Sequence, residues 1–172
     1  MVRAAVALGG NLGNRAATLD TAVRELSRHL ADVSVSAFIE TDAEGVGEQP
    51  AFLNGALVGS WEGSAHALLD LLMAVERAAG RERPYPGAPR TLDLDLVLFG
   101  ASVIDEPGLM VPHPRFRDRG FVLQPLAEIA PDMRDPVSGR TVIELYRDWR
   151  ERTAGRNPGG RAASPESQVP EA

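Results

Sequence analysis

At the head of the chain apolar residues recur at every second position, Val2, Ala4, Val6 and Leu8, the period of a strand with one buried face. Gly9-Gly10-Asn11-Leu12-Gly13-Asn14 then breaks the alternation, and Leu19, Ala22, Val23, Leu26 and Leu30 return at the spacing of one helix face. A second strand is expected from Val33 to Ile39, followed by a loop over residues 41–50, rich in glycine and acid and expected to be mobile. Phe52 to Gly59 reads as a third strand, with Phe52 and Asn54 on one of its faces. Ser64 opens a second helix whose stripe is Leu68, Leu71, Leu72 and Val75, and Gly80 suits its C-terminal cap. A proline-punctuated loop, Arg81 to Pro89, leads into a fourth strand that carries Leu92, Leu94, Leu96 and Leu98 on one face.

The remaining third is expected to alternate short strands and helices. Pro125 opens a helix that Pro131 closes, and Thr141 with Glu144 forms the capping-box signature of a last one. Strand, helix, strand, strand, helix, strand over residues 2 to 99 predicts an α+β fold: a ferredoxin-like antiparallel sheet with additional edge strands and covering helices. Residues 1–152 make one domain. The tail at 153–172 is too poor in large aliphatic side chains to offset its ordering entropy and is expected to be disordered.

The fourth strand also carries the clearest chemistry. Asp93 and Asp95, two residues apart, point to the same face, roughly 6 to 7 Å apart along the backbone. Two like charges so close are unfavourable unless a cation lies between them, and hard divalent ions take oxygen ligands. Arg90 precedes them, and Arg81 and Arg83 lie on the adjoining loop. Two acids for metal and three guanidiniums for phosphate oxygens make a magnesium-phosphate site, with Arg81 and Arg90 positioned to reach the transferring phosphorus.

Composition narrows the chemistry further. The chain has 172 residues, no cysteine and a net charge of −6, which removes thiolate chemistry and disulfides and argues against a nucleic-acid binder. All 18 basic residues are arginine, so a P-loop lysine and Schiff-base catalysis are excluded. The apolar N-terminal run is too short for a membrane span or a signal peptide, and a cytoplasmic location is the simplest expectation.

Further candidates are less specific. His113, Arg115, Arg117 and Arg119 form a second basic cluster, in which His113, between two prolines, is better suited to phosphate than to metal. Gly9-Gly10-Asn11-Leu12-Gly13 lacks the spacing and lysine of a phosphate loop and reads as a tight turn. Phe52 and Asn54 are either core or, facing a cleft, the stacking and amide partners of a flat heterocycle. A nucleotidyltransferase also uses paired aspartates, but its Gly-Ser helix start is missing before them. A nucleotide-sensing ferredoxin-like module would not need both acids and both loop arginines.

These segments resemble the 6-hydroxymethyl-7,8-dihydropterin pyrophosphokinases of folate biosynthesis. The resemblance lies in Val6-Ala7-Leu8-Gly9-Gly10-Asn11-Leu12-Gly13, Phe52-Leu53-Asn54, Arg90-Thr91-Leu92-Asp93-Leu94-Asp95-Leu96, Val111-Pro112-His113-Pro114-Arg115 and Arg119-Gly120-Phe121-Val122-Leu123. It implies transfer of diphosphate from ATP to the pterin's hydroxymethyl oxygen, with AMP released and two Mg²⁺ ions on the triphosphate. Asp93 and Asp95 would hold the metal, Arg81 and Arg90 would assist transfer, and Arg83, His113 and Arg119 would contact ATP. Thr41, Asp42, Phe52, Asn54 and Phe121 would shape the pterin pocket. The partners implied are these small molecules, with no nucleic acid and no membrane, and a monomer is the expectation.

Overall fold

A computed structural model of the chain describes residues 1–42, 50–80 and 91–156. The alternating head of the chain forms β1, Val2–Gly10, which runs two residues further than the pattern of large side chains indicates. Helix α1, Arg15–Ser27, follows, and the Asn14 side chain caps it by accepting the Ala17 N–H. Leu30 lies beyond the helix end but still reaches the core.

The second strand is broken in two, β2 at Ala31–Val35 and β3 at Ile39–Thr41. Ser36 is the cause: its N–H bonds the Ala56 carbonyl, and its hydroxyl accepts the Ala56 N–H at 2.9 Å while donating to Ala37. One side chain thus takes over ladder bonds at the break. Both pieces pair with β4, Phe52–Trp61, which also pairs antiparallel with β1. Ser64 caps α2, Ala65–Ala78, and Gly80 beyond it takes a φ of +81°, the conformation that favours glycine. Strand β5, Asp93–Phe99, closes the order β2-β4-β1-β5, with β3 beside β4. This is the ferredoxin-like arrangement expected from the element order.

The sheet is covered on both faces. Leu19, Ala22 and Leu26 of α1 and Leu68, Leu72 and Val75 of α2 pack with Val6, Leu8, Leu57, Leu94 and Leu96 into one core. On the other face lie Ala5, Ala7, Ala56 and Val58. They are met by Val122, Leu123 and Leu126 of α3, Gly120–Ile129, and by Val142 and Leu145 of α4, Val142–Arg156. The expected alternation of β5 fails at Leu98, which joins this second core beside Val97. A register shift pairs Ala5 with Leu98 and Val6 with Leu96, skipping Val97, so the strand's parity flips there.

The extra strands of the last third are β6, Ile104–Glu106, and β7, Leu109–Val111, which pair as a separate two-stranded sheet. Pro125 does not open α3 but sits inside it, since the helix already starts at Gly120. Lacking an N–H, Pro125 gives the Phe121 carbonyl no helical partner. The capping box is present: Thr141 N–H donates to Glu144 Oε1 at 2.9 Å, and Glu144 N–H donates to Thr141 Oγ1 at 3.3 Å. Helix α4 continues to Arg156, past the expected start of the tail, and the rest of the tail lies outside the described residues. No helix among the described residues is long and apolar enough to cross a membrane.

Candidate active site

The face that meets α3 and α4 is built of small residues near the middle of the sheet. Ala5, Ala7 and Gly9 of β1 alternate onto it, and antiparallel register places Asn54 and Asp93 on either side of Gly9. Ala7 is flanked in the same way by Ala56 and Asp95. Residues directly opposite one another share a face, so the Asn54 amide of β4 and both carboxylates of β5 converge on one surface. Asp93 and Asp95 are half-buried there, while Leu94 between them enters the opposite core.

As the last strand of its sheet, β5 has an outer edge to satisfy, and two residues from elsewhere meet it. The Leu94 N–H donates to the buried carboxylate of Glu76 on α2 at 2.6 Å, and the His113 N–H donates to the Val97 carbonyl at 2.9 Å. The strand is thereby fixed between the two aspartates and again two residues beyond Asp95. Glu76 was not among the sequence candidates. Its signal is a charged residue set beside Val75 in the apolar stripe of α2, where an acid is buried only if something receives it.

His113 itself lies close enough to sense three charges. Burial, then Arg119, then Arg115 push its imidazole below the ordinary value of 6.5, with Asp93 pulling the other way, so the ring is neutral at pH 7. Its Nδ1 accepts the Arg115 N–H at 3.1 Å, which puts the ring proton on Nε2 as a donor for an anion's oxygen. Arg119 precedes α3, with its guanidinium over the Phe121 ring, 5.5 Å from the centroid. Phe121 is half-buried against the α3/α4 core.

Arg117 leaves the basic cluster. It forms a bidentate pair with the fully buried Asp135, at 2.5 Å and 2.8 Å, because Phe116 inserts into the core between Arg115 and Arg117. Burial drives the Asp135 carboxyl up, but the Arg117 bond, the Ser138 hydroxyl, the Val137 N–H and the Arg117 charge outweigh it and hold it at about 2.

On the other side of Gly9, the buried Asn54 donates Nδ2 to Thr41 Oγ1 at 2.6 Å, and Thr41 pairs in register with Phe52. Thr41, Phe52 and Asn54 therefore form one group at the end of β3 and β4. Asp42 is exposed just past β3. Arg81, Arg83 and Arg90, and residues 43–49 of the loop expected over 41–50, lie outside the described residues.

The Asp93 and Asp95 donor set suits Mg²⁺. That ion keeps several waters and is usually bound by one or two carboxylates plus substrate phosphates, without a protein-only cage. Among the described residues no group of three or more His, Cys, Asp or Glu side chains is placed to hold a metal.

The ferredoxin-like α+β sheet brings paired carboxylates to one face, with His113 within electrostatic reach of Asp93 and Arg119, a set of groups that fits a phosphoryl-group transferase. Residues 5–131 match the family model for 7,8-dihydro-6-hydroxymethylpterin-pyrophosphokinase. The chain is 42% identical over 145 residues to the 2-amino-4-hydroxy-6-hydroxymethyldihydropteridine pyrophosphokinase of Synechocystis sp., covering 83% of this chain and 73% of that protein. It is 41% identical over 145 residues to the enzyme of the same name from Pseudomonas aeruginosa, covering 83% and 89%. The wild-type HPPK-DHPS crystal structure from Plasmodium falciparum superposes with a TM-score of 0.72 at 13% identity. That match covers 90% of this chain and 46% of the other, so the chain spans just under half of that two-part protein. The chain belongs to the 7,8-dihydro-6-hydroxymethylpterin-pyrophosphokinase family, enzymes of folate synthesis that transfer pyrophosphate from ATP.

Proposed function

We propose that this chain transfers diphosphate from ATP to the hydroxymethyl oxygen of 6-hydroxymethyl-7,8-dihydropterin, releasing AMP, with Asp93 and Asp95 as its Mg²⁺ ligands. One new bond forms between that oxygen and the β-phosphorus while the hydroxyl proton is released to solvent, and the bond from the β-phosphorus to the oxygen it shares with the α-phosphate breaks, its electron pair leaving with AMP. Two Mg²⁺ ions, when bound there, supply charge neutralisation on the triphosphate and on the departing AMP.

The observation that carries this reading is the row Asn54, Gly9, Asp93 across β4, β1 and β5, which sets an amide beside a carboxylate on one face. Asn54 has the donor and acceptor needed for a pterin's amide edge, and its bond to Thr41 orients it. Phe52 and Phe121 would pack on the ring, with Asp42 at the pocket's rim. His113 and Arg119 offer Nε2–H and guanidinium donors to phosphate, and Arg83 would join them. Sequence position supports Arg81 and Arg90 as the cations that meet the transition-state charge. All these residues belong to one chain, which fits a monomer, and a cytoplasmic location would supply the ATP and Mg²⁺ that the reaction uses.

Incubation of the protein with ATP, Mg²⁺ and the hydroxymethyl dihydropterin tests the reading. One AMP should form per pterin consumed, alongside the pterin diphosphate. Release of ADP, or nucleotide cleavage that does not depend on the pterin, would contradict it.

A further inference from the structure

The turn after β1 and the first residue of α1 reach across to the strands that carry Thr41 and Phe52. Asn11, 1% exposed, donates Nδ2 to the Pro50 carbonyl at 3.1 Å. Arg15 spreads its fork over two partners, Nη1 to the Ala51 carbonyl at 2.8 Å and Nη2 to Glu40 Oε2 at 2.6 Å. Glu40 immediately precedes Thr41, and Ala51 immediately precedes Phe52. Thr41 and Phe52 form the last register pair between β3 and β4, so Arg15 ties the two strands together at that pair.

The local needs of α1 do not call for this residue. Asn14 already caps the helix, and a cation at a helix N-terminus opposes the macrodipole. Its partners, Glu40 on β3 and Ala51 just before β4, lie 25 and 36 residues away. The Glu40 side chain is 59% exposed, so the ion pair alone contributes little. What the planar fork supplies is geometry: it fixes a backbone carbonyl and a carboxylate at once, which a point charge does not do.

We propose that Arg15, with Asn11 beside it, is a positioning residue for the pterin. It sets where β3 ends relative to β4, and so holds Thr41 Oγ1 within 2.6 Å of the Asn54 amide and fixes the placement of Phe52. The inference rests on the assignment of Thr41, Phe52 and Asn54 to the pterin.

Steady-state kinetics of wild type, Arg15→Ala, Arg15→Lys and Asn54→Ala, with pterin and ATP varied separately and thermal unfolding followed alongside, tests it. Arg15→Ala should raise KM for the pterin by about tenfold and leave KM for ATP within about twofold of wild type. Arg15→Lys, with charge but no fork, should fall between. Equal changes in both KM values, or a lowered Tm with neither changed, would overturn the inference. If Asn54→Ala raises the pterin KM and Arg15→Ala does not, the positioning role fails and the pterin assignment stands. If neither does, both fail. Should Arg15→Ala not fold, Arg15→Lys and Glu40→Gln carry the same test, each expected to raise only the pterin KM.

Discussion

Asn54 and Asp93 stand in one row across the sheet, one on each side of Gly9. Two strand spacings separate them, about 10 Å, a distance that a bicyclic ring with a hydroxymethyl arm largely spans. The amide that would read the ring and the carboxylate that would hold the metal are therefore set by backbone register. A side chain on the residue between them would intrude on this face.

Gly9→Ala tests that spacing. A Cβ at Gly9 would come within 2.9 Å of Asn54 Oδ1, too close for the amide to keep its place. The amide must then turn from Thr41. Catalytic efficiency with the pterin should fall by about ten- to a hundredfold, while ATP binding, measured by calorimetry with a non-hydrolysable analogue, should hardly change.

Glu76 supports the metal strand through the Leu94 N–H. Glu76→Ala strands that donor at a buried site and should destabilise the fold by about 1 to 3 kcal/mol in urea unfolding. Glu76→Gln keeps an acceptor and should lose less. Activity at saturating substrates should fall in the same order, because Asp93 and Asp95 flank the freed backbone group.

Asp135 gives the fold an acid-sensitive element remote from the chemistry. Its carboxyl is lowered from 3.8 to about 2, so its contribution is fully present above 3.8 and is lost as pH falls through about 2. That shift corresponds to roughly 2 kcal/mol. Asp135→Asn should be less stable than wild type at neutral pH, and the gap should narrow as pH falls from 3.8 towards 2, read by urea unfolding at each pH.

Much of this was legible in the chain. Period-two alternation located β1, β4 and β5, helical stripes located α1 and α2, and the Asp93-Leu94-Asp95 spacing placed both acids on one face because local geometry dictates it. What escaped depended on contacts distant in sequence. The break at Ser36 needs Ala56, the parity flip at Val97 needs the β1 register, and Arg117 is removed from the basic cluster by Asp135. Pro125 inside α3 escaped because the packing of Val122, Leu123 and Leu126 outweighs a missing helical hydrogen bond. Gly9 was read as part of a tight turn, whereas it lies inside β1, and Glu76 was visible only as an acid in an apolar stripe.

The central claim is that Asp93 and Asp95 carry the metal of diphosphate transfer. Mn²⁺ serves as a paramagnetic stand-in for Mg²⁺, and its binding is followed by EPR with a non-hydrolysable ATP analogue, in wild type, Asp93→Ala and Asp95→Ala. Two ions should bind the wild-type complex, fewer or weaker ones each variant, with AMP formation falling by at least about a thousandfold and the circular dichroism unchanged. Full Mn²⁺ occupancy and undiminished AMP formation in a folded Asp95→Ala protein would contradict the claim.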